Sequence, residues 1–219
     1  MFRMLILPFV FAISLVAAAQ AESLGPMGQI RKDVDAIVAL LQDKSLEHDA
    51  RWSQISEILY SRIDSRAMSQ SVLATNWQTA TDEEKEKFVE YFSQYLEQIY
   101  RQKIEAYSNQ RVDYLEETLA GTDRAVVDTV IVTDQTQIPV TYKMRRTGDE
   151  WFITDVVIEG LSLVNNYRST FADKIKQDGM DGLLADIKSQ IEQYRADYLK
   201  QRQAELAQQP GSEGAAAGE

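Results

Sequence analysis

The sequence predicts an α+β domain in which helices pack on one face of an antiparallel sheet. Two observations carry this. Apolar residues recur every three to four positions through the first hundred residues and again after Leu163, whereas between about Val112 and Ile158 they recur every second position. The elements therefore come as a block of helices, a block of strands and a second block of helices, with no internal repeat.

Residues 1–21 stand apart from the fold. Arg3 precedes an apolar run from Leu5 to Val16, and the small residues ending in Ala19-Gln20-Ala21 complete the pattern of a cleaved secretory signal peptide. The run covers about a dozen residues and contains Pro8, short of the roughly 20 that a membrane-spanning helix needs. No Cys follows it, so a lipid-anchored form is not expected. The folded domain is expected over residues 22–205.

Ile30, Val34, Ile37, Val38 and Leu41 mark one face of a first helix from Pro26 to Gln42. Trp52, Ile55, Ile58 and Leu59 mark a second, and Met68, Val72 and Leu73 a third. Thr81 and Glu84 form a capping box ahead of Phe88, Phe92, Tyr95, Leu96 and Ile99, the clearest helix of the chain. After Asn109 the alternation takes over in "AVVDTVIVTD", "IPVTYKM" and "WFITDVVI", with a first strand expected over 112–116 and a turn at Thr147-Gly148-Asp149. About four strands result. Leu163, Tyr167, Phe171 and Ile175 then lie four apart, Gly179 interrupts, and Leu184, Ile187, Ile191, Tyr194 and Tyr198 resume the helical period. Residues 206–219, rich in Gly, Ala, Glu and Ser with Pro210, are expected to form a disordered tail.

Composition excludes several function classes. The net charge of -11 argues against nucleic acid and against unselective adhesion to an anionic bilayer. With no cysteine, neither disulfides nor thiolate metal sites contribute. The single histidine, His48, sits among charges in "SLEHDARW" and reads as a solvated surface residue. No nucleophile motif, phosphate loop or dinucleotide fingerprint is present, so neither a catalytic residue nor a metal ligand is assigned. Asp155 and Glu159, evenly spaced on one strand, are the carboxylates an acid–base enzyme would use. The aromatic inventory (Phe88, Phe92, Tyr95, Tyr142, Trp151, Phe152, Tyr167, Phe171) suits a packed core or the wall of a binding cavity equally well.

The stretch "DVVIEGLSLVNNYRSTF", residues 155–171, has apolar leucines where a strand should give way to a solvated loop. It closely resembles the signature of the periplasmic phospholipid-binding proteins of the Mla, or toluene-tolerance, family. Trp77 ahead of "EKFVEYFSQYL", the strand "IPVTYKM" and "GMDGLLADIK" after the signature extend the likeness over nearly all of the chain to about Lys200. The resemblance implies a curved antiparallel sheet and helices enclosing an apolar lipid pocket. It implies a periplasmic carrier, not an enzyme, that moves glycerophospholipids between the outer membrane and an inner-membrane ABC transporter and so maintains outer-membrane lipid asymmetry. Its partners would be that transporter and an outer-membrane Mla lipoprotein–porin complex, and its bound phospholipid is a ligand, with no cofactor.

On this reading Leu161 and Leu163 edge the pocket mouth and Tyr167 and Phe171 line the helix beside it. Phe88, Phe92, Tyr95, Ile131, Val140, Tyr142 and Trp151 complete the expected lipid contacts. Arg168 either meets a lipid phosphate or pairs with Glu159, and Asn165 and Asn166 either cap the helix or stand near the opening. An exported enzyme using Asp155 or Glu159, and a periplasmic chaperone with a peptide-binding cleft, are the competing readings.

Overall fold

Pro26 opens the first helix, α1 (Pro26–Gln42), at a position where its missing N–H leaves no bond unmade. The computed structural model describes residues 24–107 and 110–208, so the expected signal peptide and the tail beyond Gln208 lie outside the described residues. α2 (His48–Arg62) and α3 (Ser65–Leu73) follow, the latter capped by the Asp64 carboxylate, which accepts from the Ala67 amide. A short α4 (Thr75–Thr79), not anticipated from the sequence, turns the chain into α5 (Asp82–Glu105). The capping box at α5 is reciprocal: Thr81 Oγ1 accepts from the Glu84 amide at 3.2 Å, and Glu84 Oε2 accepts from the Thr81 amide at 2.7 Å.

β1 (Arg111–Ala120), β2 (Arg124–Val132), β3 (Gln137–Thr147), β4 (Glu150–Ile158) and β5 (Leu161–Ser162) form one antiparallel meander in sequence order. The sheet has five strands where about four were expected, and β1 runs well past residue 116. Leu115 in β1 and Thr154 in β4 are extra residues relative to their partners. Such bulges bend the strands that carry them. Ala125, Val127 and Thr129 of β2, Val140 and Met144 of β3, and Trp151 and Ile153 of β4 are buried on alternate positions.

The apolar stretch after β4 is a strand, not a loop. Glu159 and Gly160 both take positive φ, 52° and 83°, and this tight turn folds Leu161-Ser162 back to pair with Ile158-Val157. α6 (Leu163–Ala207) begins at once and is broken at Gly179, whose φ of 73° a residue with a Cβ rarely adopts. The helix continues through residues 206 and 207, where the tail was expected to have begun. Its first turns lie against α3 and α5. There Phe88, Phe92 and Tyr95 meet Tyr167 and Phe171 edge to face or tilted, with ring centroids 5.3–6.4 Å apart. Each such aromatic pair adds about 0.5–1.5 kcal/mol beyond its buried area.

Candidate functional site

A cavity of about 650 Å³ lies between the sheet and the helices. α1 contributes Val34, Ile37, Val38 and Leu41, and α2 contributes Trp52, Ser56, Leu59 and Tyr60. Ile63, Ser65 and Met68 close one side. From α5 come Phe92, Ser93, Leu96, Glu97, Tyr100, Lys103 and Ile104, successive turns of one face. The sheet adds Val112, Ile131, Ile138, Val140, Tyr142, Ile153, Val156 and Ile158, and the β4–β5 corner adds Glu159, Leu161 and Leu163. Tyr60, Lys103, Glu159 and Leu161 are the exposed lining residues, so the cavity opens toward solvent beside α2, the end of α5 and the β4–β5 turn. Tyr142 reaches into this apolar space, and burial pushes its hydroxyl up to about 12 despite a hydrogen bond with Thr129.

The cavity separates two cores. The main core holds the α5–α6 aromatics and the sheet, while Leu41, Trp52 and Ile55 form a smaller one at the tip of the α1–α2 hairpin, with Ile104 of α5 packed against it. The walls carry one half-buried acid, Glu97. Glu97 accepts from Trp52 Nε1 at 2.8 Å, Ser56 Oγ at 2.7 Å and Tyr60 Oη at 2.7 Å, donors on three successive turns of α2. Burial pushes the Glu97 carboxyl up, but these bonds and the nearby Arg101 guanidinium outweigh it and hold the group below the usual carboxylate range.

Of the expected lipid contacts, Phe92, Ile131, Val140, Tyr142, Leu161 and Leu163 line the cavity. Phe88, Tyr95, Tyr167 and Phe171 sit in the α5–α6 seam, and Trp151 is buried in the main core. They lie away from the wall because α5 has two working faces, and these rings meet α6 while Leu96, Tyr100 and Ile104 face the space. Arg168 lies outside it: its Nε donates to the Ser71 carbonyl at 2.9 Å, tying α6 to α3, and it makes no pair with Glu159. The sequence reading missed the entire α1–α2 wall. The signal was present in Trp52, Ser56 and Tyr60, four apart.

Asp155 and Glu159 are not a pair. Asp155 is buried and accepts from Ser162 Oγ at 2.7 Å, the Val164 amide at 3.1 Å and Lys143 Nζ at 2.9 Å. Ser162 in turn accepts from the Asn165 amide, so Ser162 and Asp155 cap α6 and the asparagines do not. His48 is also not a free surface residue. Its imidazole is wedged between Asp49 and Glu105, with Nε2 3.2 Å from Tyr198 Oη. Among the described residues no His, Asp and Glu cluster has the arrangement of a metal site, and no helix is long and apolar enough to cross a membrane.

Helices laid over a bulged meander sheet, with an apolar space left between the layers and open to solvent, define a class of small α+β proteins built to hold an apolar ligand. Within that class the chain belongs to the MlaC family, whose profile, described as MlaC protein, matches residues 31–189. It is 25% identical over 158 residues to the toluene tolerance protein ttg2D of Pseudomonas putida, a match covering 71% of each chain. It is 21% identical over 197 residues to the intermembrane phospholipid transport system binding protein MlaC of Haemophilus influenzae, covering 86% of this chain and 92% of that one. The fold is shared with a phospholipid-binding protein from Ralstonia solanacearum solved in complex with a phospholipid. That likeness has a TM-score of 0.72 at 21% identity and covers 78% of this chain and 99% of the other.

Proposed function

We propose that this protein is a periplasmic phospholipid carrier that shuttles glycerophospholipid between the inner-membrane Mla ABC transporter and the outer-membrane Mla lipoprotein–porin complex. The observation that carries the reading is the apolar cavity of about 650 Å³ standing where a two-layer domain would otherwise pack its core. An empty apolar space of that size forfeits dispersion contacts on all its walls. Acyl chains supply them. Phe92, Ile131, Val140, Tyr142, Leu161 and Leu163 are proposed to touch the chains, and the headgroup is proposed to sit at the mouth, where Lys103 is the cationic side chain of the lining.

Two acyl chains hold roughly 30 methylenes, and at about 0.8 kcal/mol each their exposure to water costs on the order of 20 kcal/mol. A carrier need only match the bilayer interior for transfer to be near neutral, which leaves direction to its partners. The acidic surface fits, because it lets the loaded protein leave an anionic membrane. The family's membership and the phospholipid named for its relatives support the same reading. A catalytic role is disfavoured because the oxygens of Asp155 are occupied in capping α6 and Glu159 stands alone at the rim.

Native mass spectrometry of the exported protein, purified without detergent from a Gram-negative host, tests this. The expected result is a bound phospholipid released by organic extraction. A lipid-free protein that takes up none from vesicles refutes the carrier reading, and a co-purifying polypeptide points to the chaperone.

A further inference from the structure

We propose that the seam between α2 and α5 is a side door to the cavity, latched by Glu97, through which acyl chains enter and leave; this rests on the carrier reading. The α1–α2 hairpin is fixed to the sheet at one end only. The Met27 amide donates to Glu117 of β1, Tyr114 Oη of β1 donates to Asp35, and the Arg31 guanidinium stacks on the Tyr114 ring. At the far end of α2, buried Arg62 donates to Asp33 and to the Trp151 carbonyl, and the Asp64 amide donates to the Ile153 carbonyl. These bonds join the start of α1 and the end of α2 to β1 and β4. The opposite end of the hairpin is its tip, residues 43–56, and among the described residues no hydrogen bond or ion pair joins that tip to the sheet.

What holds the tip reaches only α5 and α6, and apart from Ile104 of α5, which packs on the tip's core, it is polar. Glu97 takes donors from Trp52, Ser56 and Tyr60, a single carboxylate spanning two turns of α2. Beyond it, His48 stands 3.1 Å from Glu105 and 3.2 Å from Tyr198, and Arg101 reaches Asp49 at 3.5 Å while stacking on Trp52 and Tyr198. The tip also has its own apolar core of Leu41, Trp52 and Ile55, against which α5 packs Ile104, so parting the seam uncovers little apolar surface. All four latch residues line the cavity, so parting them opens it along its length. These part-buried and exposed hydrogen bonds exchange for bonds to water at little net cost, whereas parting an apolar seam exposes its whole area. A polar seam against an apolar cavity is therefore the wall that opens with least resistance.

The chain has no cysteine, so introduced pairs can be bridged selectively. His48→Cys with Glu105→Cys, joined by a short bismaleimide, ties the tip to α5. Gln102→Cys with Gln201→Cys ties α5 to α6 outside the cavity and serves as the control, those side chains being hydrogen-bonded at 3.0 Å. Exchange of fluorescent phospholipid with phosphatidylethanolamine–phosphatidylglycerol vesicles is measured before and after bridging. The tip bridge is expected to slow exchange by at least about tenfold, since it removes the open population, and the control bridge to leave it unchanged. Glu97→Ala in the unbridged chain is expected to speed exchange by about tenfold, the factor one charge-assisted hydrogen bond is worth. Undiminished exchange in the tip-bridged protein, or equal slowing by both bridges, overturns the side door and leaves the carrier intact. An unbridged protein that neither holds nor exchanges phospholipid overturns the carrier reading and the door with it.

Discussion

Asp155→Ala should loosen the junction of β4, β5 and α6 more than any single apolar truncation at the mouth. The Asp155 carboxylate is 6% exposed and serves three donors. The Val164 amide sits in the first turn of α6, where no intrahelical acceptor exists, and losing a capping acceptor there costs about 1 kcal/mol. Leaving the buried donors unpaired adds roughly 1–3 kcal/mol. Lys143 contributes little, because its side chain is 47% exposed and water replaces the lost partner. The sum is about 3 kcal/mol, a fall in Tm of roughly 6–12 °C for a chain of this length. Asp155→Asn keeps the volume and one acceptor and should cost about half as much. Thermal melts of both variants, with hydrogen exchange at the amides of residues 164–167, measure the effect. Lipid retention should fall with stability, because Leu161 and Leu163 hang from the same junction. A melting temperature within about 2 °C of the parent for Asp155→Ala would refute the capping argument.

Val140→Trp puts bulk into the cavity from β3. It is expected to displace lipid with a small change in melting temperature, and a sharp drop in stability with lipid content unchanged would mean that the site is packed core, where overfilling costs about 1–3 kcal/mol. Glu159→Asn replaces a residue held at φ 52° with one that tolerates this region, and a rise in stability of up to about 1 kcal/mol in urea titration is the expected outcome. Acid should unlatch the side door late. The folded Glu97 carboxyl lies below its unfolded value, so its stabilisation is complete above the usual glutamate range and is lost as pH falls through the depressed folded value. Phospholipid exchange should accelerate only once the pH falls below the ordinary glutamate range, and Glu97→Gln should remove that acid step.

The helices and strands were legible because each buries one face, and a face leaves a period in the sequence. Ile30, Val34, Ile37 and Leu41 announced α1, and Ile138, Val140, Tyr142 and Met144 announced β3. What periodicity could not say is which apolar face meets another face and which meets a void. Phe88 and Leu96 belong to one apolar stripe, yet Phe88 is clasped by Phe171 while Leu96 borders the cavity. That distinction depends on where α1 and α2 sit above the sheet, a long-range fact. Arg168 illustrates the same limit. It was expected to meet a lipid phosphate or Glu159, but its acceptor is a carbonyl of α3, 97 residues away. His48 looked solvated because its partners, Glu105 and Tyr198, both lie far from it in sequence, Tyr198 150 residues away.

The cavity persists because its two walls are held apart by elements that cannot close on each other. At the main-core side, the aromatic seam of α5 and α6 fixes where α5 lies, and Asp155 fixes where α6 starts relative to β4. At the hairpin side, Arg62 and Asp64 fix the end of α2 on β4, and Tyr114 and Glu117 fix the start of α1 on β1. Collapse of the space would require one of these anchored ends to move, and each anchor is a hydrogen bond or packed ring of defined length. The hairpin tip is the part not so fixed to the sheet, and there, Ile104 apart, the contacts with α5 are polar, chiefly the Glu97 carboxylate and its three donors. On the proposed carrier reading, these anchors preserve a void for acyl chains, while the seam at Glu97 is the wall proposed to part. A domain stabilised by uniform apolar packing would have closed the space, and one with polar seams throughout would not hold a defined cavity. On that reading, the division of the apolar residues into two cores, with Glu97 between them, is the feature on which holding and exchanging a ligand both depend.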